Sequence, residues 1–129
     1  MNVSGIQPED VANWKDRLSW HFGSFCRDGT ITSDELWDDI ESKQRQLWVV
    51  DDGEEIKAAV LTSISSDRLK TFEVTHAAGR DRETWQHFLG ALGGWARGIG
   101  CKRIRVTARP GWERILPLKK THVILEGRL

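Results

Sequence analysis

The chain has 129 residues, 39% of them hydrophobic and 29% charged, with 19 basic side chains balancing 19 acidic ones. That length suits one domain, 1–129, with a real core, and the neutral balance argues against wholesale attraction to nucleic acid or membrane. No apolar run is long enough to span a bilayer, and residues Met1 to Gly5 lack the basic and apolar regions of a signal peptide, so a cytoplasmic protein is expected.

Asn2 to Ile6 reads as a short first strand. Pro8, Glu9 and Asp10 make a good helix start, and Val11, Trp14, Leu18, Phe22 and Phe25 follow at helical spacing, which predicts one amphipathic helix to about Phe25. Asp28-Gly29 marks a turn. Thr32 to Glu35 has the capping-box pattern, and Leu36, Trp37 and Ile40 give the second helix an apolar face that ends near Lys43. Gln46 to Val50 reads as a strand, Asp51 to Gly53 as a tight turn, and Glu55 to Ile64 as the hairpin partner. Its run Ala58 to Leu61 is apolar on consecutive residues, as in a central strand covered on both faces.

Leu69 to Thr75 forms the next strand, and His76 to Asp81 the turn that leaves it. Trp85, Phe88, Leu89, Leu92, Trp95, Ala96 and Ile99 then predict a helix from about Arg82 to Gly98, with Asp81 as its N-cap. Gly98 and Gly100 end that helix before the β-branched strand around Ile104 to Thr107, so the whole stretch reads as a strand–helix–strand crossover. Pro110 and Gly111 open a short helix carrying Trp112, Ile115 and Leu116, and Thr121 to Glu126 alternates as a final strand. The elements sum to an α/β (α+β) fold with a mixed sheet of about six strands and about four helices.

Three features stand outside that outline. Asp28 to Glu55 carries ten acidic residues against two basic, whereas Arg97 to Lys120 carries eight basic against one acidic. Seven tryptophans are spread through the chain beside no tyrosine at all. Gly90, Gly93 and Gly94 lie on the polar side of the long helix, where each costs about 1 kcal/mol relative to alanine. Together they suggest self-association or protein partners; nucleic acid is not an expected partner. The two cysteines, Cys26 and Cys101, show neither a CxxC pair nor ligand spacing, so no metal site is expected.

The order β-α-α-β-β-β-α-β-α-β resembles the GNAT acyltransferases over nearly the whole chain. The stretch from Val3 to Val11 resembles their opening strand and helix start, and Trp95 to Val106 resembles their exit from the third helix into strand five. Leu47 to Val50, Gly79-Arg80-Asp81 and Arg109 to Trp112 also resemble small GNAT-like proteins of tailed phages, often encoded among virion and head-assembly genes. That likeness implies a host-cytoplasmic protein that enters the phage particle.

In active members of the family, a Gln/Arg-x-x-Gly-x-Gly/Ala turn after strand four holds the acetyl-CoA pyrophosphate on backbone N–H groups. The matching residues here are His76 to Asp81, with Gly79 kept and an aspartate at the last position. A carboxylate there opposes a pyrophosphate, and no tyrosine exists to act as general acid. The resemblance therefore implies a degenerate cofactor loop, no bound cofactor, and a non-catalytic virion structural or assembly role. Its alternative is an active acetyl-CoA-dependent N-acetyltransferase. On that reading Val74 grips the pantetheine arm, Gly79, Arg80 and Arg82 hold the pyrophosphate, and Glu73 or His76 is the base. Strict alternation along the strand places Glu73 with Thr71 and Thr75, and His76 on the other face with Phe72 and Val74.

Overall fold

The computed structural model describes residues 2–66, 68–81, 88–107, 125, 127 and 128. Among them a five-stranded sheet runs in the order β1 (Asn2–Ile6), β2 (Gln46–Asp51), β3 (Ile56–Ser65), β4 (Thr71–Gly79) and β5 (Arg103–Val106). Strands β1 to β4 pair antiparallel, and β4 pairs parallel with β5. The sheet is mixed, as expected. A parallel pair needs a crossover, and α3 (Leu89–Gly98) lies within it. The helix anticipated after Pro110 and the strand from Thr121 to Glu126 lie outside the described residues.

Residues Leu47 to Val50 and Ala58 to Thr62 are buried consecutively because both faces of the sheet are covered. On one face α1 (Ser19–Phe25) and α2 (Ser33–Glu41) bring Phe22, Phe25, Leu36, Trp37 and Ile40 against Leu47, Val49, Ala59 and Leu61. On the other, Leu89, Leu92 and Ala96 of α3 close on Trp48, Val60, Phe72 and Val74. Room for the Trp48 indole comes from Gly5 in the facing position of β1, where a Cβ would stand 3.2 Å from the ring.

The single helix expected over Pro8 to Phe25 is two pieces, a 3-10 segment (Pro8–Asn13) and α1. Between them three-residue bonds enter the ladder, Trp14 N–H to Val11 O at 2.9 Å and Ser19 N–H to Asp16 O at 3.4 Å, which tighten the backbone through Lys15, Asp16 and Arg17. Val11, Leu18, Phe22 and Phe25 are nevertheless all buried. Apolar spacing selects the inward side; it does not guarantee an unbroken hydrogen-bond ladder.

Helix α2 begins as its sequence requires, with the Glu35 N–H donating to Thr32 Oγ1 at 3.2 Å and the Thr32 hydroxyl donating to Glu35 Oε1 at 3.0 Å. Its end sets up the site. Lys43 takes a left-handed φ of 66°, Lys43 N–H donates to Ile40 O at 3.1 Å, and Gln44 N–H donates to Asp39 O at 2.8 Å. That is a Schellman exit, and it folds the following residue, Arg45, back over Asp39.

Candidate functional site

Strand β4 is where the chemistry-bearing residues meet. The expected turn from His76 to Gly79 is in fact strand: His76, Ala77, Ala78 and Gly79 stand opposite Leu61, Val60, Ala59 and Ala58 of β3. Two alanines are weak strand formers, but a buried partner strand overrides that preference. The turn begins only at Arg80, and Arg82 lies outside the described residues.

The β3–β4 register contains a bulge. Leu61 faces His76 and Thr62 faces Val74, so Thr75 is the extra residue. Side-chain parity inverts across such an insertion, because the alternation has a period of two. Phe72 and Val74 face α3, whereas His76, beyond the bulge, packs its ring on Phe25 of α1 at 5.4 Å between centroids. The separation of Glu73 from His76 expected from strict alternation is thus corrected. Both lie on the α1–α2 face, Glu73 half-buried and in register with Ser63 of β3 and Arg105 of β5.

A charged chain converges on the bulge from α2. Arg45 Nε donates to Asp39 Oδ2 at 2.9 Å, and one terminal Arg45 nitrogen donates to Thr75 Oγ1 at 3.0 Å. His76 Nδ1 lies 2.9 Å from the same hydroxyl oxygen, which also lies 3.3 Å from the Leu61 carbonyl as donor. Burial lowers the His76 pKa from its ordinary value, the Arg45 charge lowers it further, and Asp28 acts in the opposite direction. Asp39, Arg45 and Thr75 escape a sequence reading because a lone arginine between helix and strand carries no motif, and neither does a bulge.

Pairing of β4 with β5 stops at the same level. Val74 faces Val106, and the Val74 carbonyl accepts from Thr107 N–H at 3.1 Å. Beyond that point, past the bulged Thr75, His76 to Gly79 are paired with β3 alone among the described residues. A strand edge of this kind offers main-chain donors and acceptors to an extended ligand.

At the end of β4 the backbone turns away through Arg80 and Asp81. Asp81 has a left-handed φ of 53°, a backbone conformation that suits glycine and, less well, aspartate, and the helix start it is expected to cap lies outside the described residues. The Arg80 guanidinium stacks over Trp20 of α1 at 4.9 Å. Both residues line an open cleft of about 530 Å³ with Arg17, Trp20, His21 and residues of the β2–β3 hairpin. His21 is 8% exposed, its Nδ1 has no hydrogen-bond partner among the described residues, and its pKa is lowered by burial and then by Arg80.

Of the residues singled out from sequence, Glu73, Val74, His76 and Gly79 share β4, and Arg80 follows it directly. Among the described residues no group of histidine, cysteine and carboxylate side chains could hold a metal ion, and no helix is long and apolar enough to cross a membrane.

This fold is found in solved structures. A probable acetyltransferase superposes with a TM-score of 0.73 at 12% identity, covering 100% of this chain and 97% of its own. The fold is that of the GNAT acetyltransferases. An aminoglycoside acetyltransferase from an uncultured soil metagenomic sample, in complex with sisomicin, gives 0.72 at 11% identity over 99% of this chain and 95% of that one. A predicted acetyltransferase from Clostridium acetobutylicum, with acetyl-CoA, gives 0.67 at 13% identity over 98% and 95%. No family model matches the sequence, and no curated protein matches it.

Proposed function

We propose that this protein is an N-acyltransferase that uses a coenzyme A thioester, and that the β4 bulge is its reaction centre. The observation that carries the reading is the end of β4–β5 pairing at Val74 among the described residues, beside an imidazole whose pKa is lowered. The main chain of Thr75 to Gly79, unpaired on its β5 side among the described residues, fits an amide-bearing pantetheine arm, which needs alternating donors and acceptors along an extended path. Val74 begins that edge and Gly79 ends it, with Arg80 next in sequence to meet phosphate charge. A thioester bound there would supply the acyl carbon for an acceptor nitrogen, with its thiolate as the leaving group and one proton to be removed from the nitrogen. On the α1–α2 face, His76 or Glu73 accepts that proton, a contribution worth about 10²- to 10⁴-fold in rate for a well-placed base.

Calorimetry with acetyl-CoA, followed by thiol release with a panel of primary amines, tests the proposal. Saturable micromolar binding with turnover supports it. Absence of binding up to millimolar cofactor overturns it.

A second reading, a non-catalytic structural or assembly protein of a phage particle, is favoured by the lack of any tyrosine and by the carboxylate of Asp81 in the turn. On that reading Asp81→Gly improves an otherwise weak or absent acetyl-CoA affinity, and exposed Gly90, Gly94 and Trp95 of α3 serve as a contact face. Mass spectrometry of purified particles containing this chain is its direct test.

A further inference from the structure

We propose that Asp39, Arg45 and Thr75 form a positioning chain that holds the His76 proton on Nδ1 and so leaves Nε2 as the basic nitrogen of the site. The inference rests on the acyltransferase reading for its purpose, but its geometry is independent of it.

The argument is a proton count at one oxygen. A threonine hydroxyl has a single proton and two lone pairs. Arg45 can only donate, so its bond at 3.0 Å occupies one lone pair of Thr75 Oγ1. The Leu61 carbonyl, 3.3 Å away, can only accept, and we assign the hydroxyl proton to it. On that assignment the remaining partner, His76 Nδ1 at 2.9 Å, supplies a proton to the second lone pair. In a neutral imidazole a protonated Nδ1 means an unprotonated Nε2. Nε2 has no partner among the described residues, so its lone pair is not spent within them.

Each preceding link has a reason to stay in place. The Schellman exit of α2 returns Arg45 to Asp39, whose backbone carbonyl accepts the Arg45 N–H at 3.1 Å while its carboxylate accepts Nε at 2.9 Å. The backbone bond anchors Arg45 beside Asp39, and the charge-assisted bond to the carboxylate orients its guanidinium. The bulge then places Thr75 and His76, adjacent in sequence, on the same side of the sheet. Without the inserted residue the hydroxyl and the imidazole would project to opposite faces.

The charges around His76 come from several elements. Arg45 disfavours the imidazolium, Asp28 in the segment after α1 favours it, Asp39 neutralises part of the Arg45 charge, and Glu73 lies on the same face of β4. Phe25 of α1 covers the ring and contributes no charge. In the proposed reaction His76 Nε2 takes the proton shed by the acceptor nitrogen. His76 is the catalytic residue in this scheme, and Asp39, Arg45 and Thr75 are positioning residues.

Long-range proton–nitrogen correlation spectra of the whole protein, recorded across pH, test the chain without relying on turnover. The wild-type neutral ring is expected as the Nδ1–H tautomer, Thr75→Val is expected to release it towards Nε2–H, and Thr75→Ser is expected to retain it. Arg45→Gln is expected to move the His76 titration to higher pH and, where turnover is present, to move the rising limb of kcat/KM in the same direction. A wild-type Nε2–H tautomer overturns the chain even if every variant fails to fold, and so does a tautomer unchanged in folded Thr75→Val. If the tautomer and titration behave as expected and no acyl transfer occurs, the acyltransferase reading fails while the positioning chain stands. If turnover occurs with the opposite tautomer, the reverse holds.

Discussion

On the α3 face of the sheet, Phe72, Val74, Leu89, Leu92 and Ala96 close around Trp48, and the polar chain there, Trp48 Nε1–H to Thr62 Oγ1 to Gln46 Oε1, is neutral with both links at 2.9 Å. On the α1–α2 face, the chain from Asp39 through Arg45 and Thr75 to His76 is charged and ends on a titratable ring. One strand, β4, supplies both, and its bulge decides which residue serves which face. Along β4, the residues facing α3 should therefore bear chiefly on stability and, on the acyltransferase reading, His76 beyond the bulge chiefly on chemistry. Phe72→Ala removes a fully buried ring from the α3 face and is expected to cost about 3–5 kcal/mol in urea unfolding. His76→Ala, on a half-buried ring at the opposite face, is expected to lower acyl-transfer kcat/KM by about 10²-fold or more with a much smaller loss of stability. If His76→Ala destabilises as strongly as Phe72→Ala, the division between the faces is wrong.

Next in size is the neutral chain. Thr62 is fully buried and passes its single proton to Gln46 while accepting from the indole. Thr62→Val keeps the shape and leaves the Trp48 N–H without that acceptor, which should cost about 1–3 kcal/mol. Trp48→Phe in the Thr62→Val background removes the orphaned donor, so the double-mutant cycle should show the two changes to be less than additive. Full additivity would mean that the bond contributes nothing.

The reasons for legibility differ between the same two faces. The α3 face and the strand–helix–strand crossover follow from short-range pattern: the alternation of Phe72 and Val74, the helical spacing of Leu89, Leu92 and Ala96, and the β-branched run that becomes β5. The capping box at Thr32 is likewise a local signal that the backbone obeys. The candidate site depends on geometry without a local signature. An inserted residue at Thr75 reverses the parity of everything after it, and Arg45 reaches Thr75 across 30 positions of sequence. Glu73 and His76 were legible as candidates by type, and their common face was not. Asp81 is ambiguous in sequence because capping residues and left-handed residues share a composition, aspartate prominent in both, and its backbone angle is invisible there.

Asp81 also offers a smaller test at the border of the two faces. A non-glycine residue at a φ of 53° carries strain of about 1 kcal/mol, which glycine relieves at some entropic cost in the unfolded chain. Asp81→Gly is expected to leave stability unchanged or raise it by up to about 1 kcal/mol, and Asp81→Val to lower it by about 1–2 kcal/mol. Equal stability of the two variants in thermal unfolding would contradict the left-handed backbone. The same Asp81→Gly protein separates the two functional readings through its acetyl-CoA affinity.

The mildest probe is pH, and it acts on the α1–α2 face because His21 and His76 both belong there. Burial lowers both imidazole pKa values in the fold, with Arg80 adding to the effect on His21 and Arg45 to that on His76. The unfolded chain then binds protons more readily than the folded one as pH falls through the ordinary histidine value of 6.5, so acid favours unfolding. Stability should be full above that value and decline below it. A second, separate decline should begin lower, below the ordinary aspartate value of 3.8, where Asp28 and Asp52 lose the hydrogen bonds that hold their own pKa values down. Urea midpoints at pH 7.5 and 5.5 measure the first window, and the His21→Gln, His76→Gln double variant should flatten it while leaving the second in place. A double variant as acid-sensitive as wild type would assign the upper window to other groups, and a midpoint that rose on acidification would reverse the sign of both shifts. The effect of Arg45→Gln on this window connects the stability test to the site: loss of its charge should shrink the His76 share of the acid sensitivity and leave the His21 share unchanged.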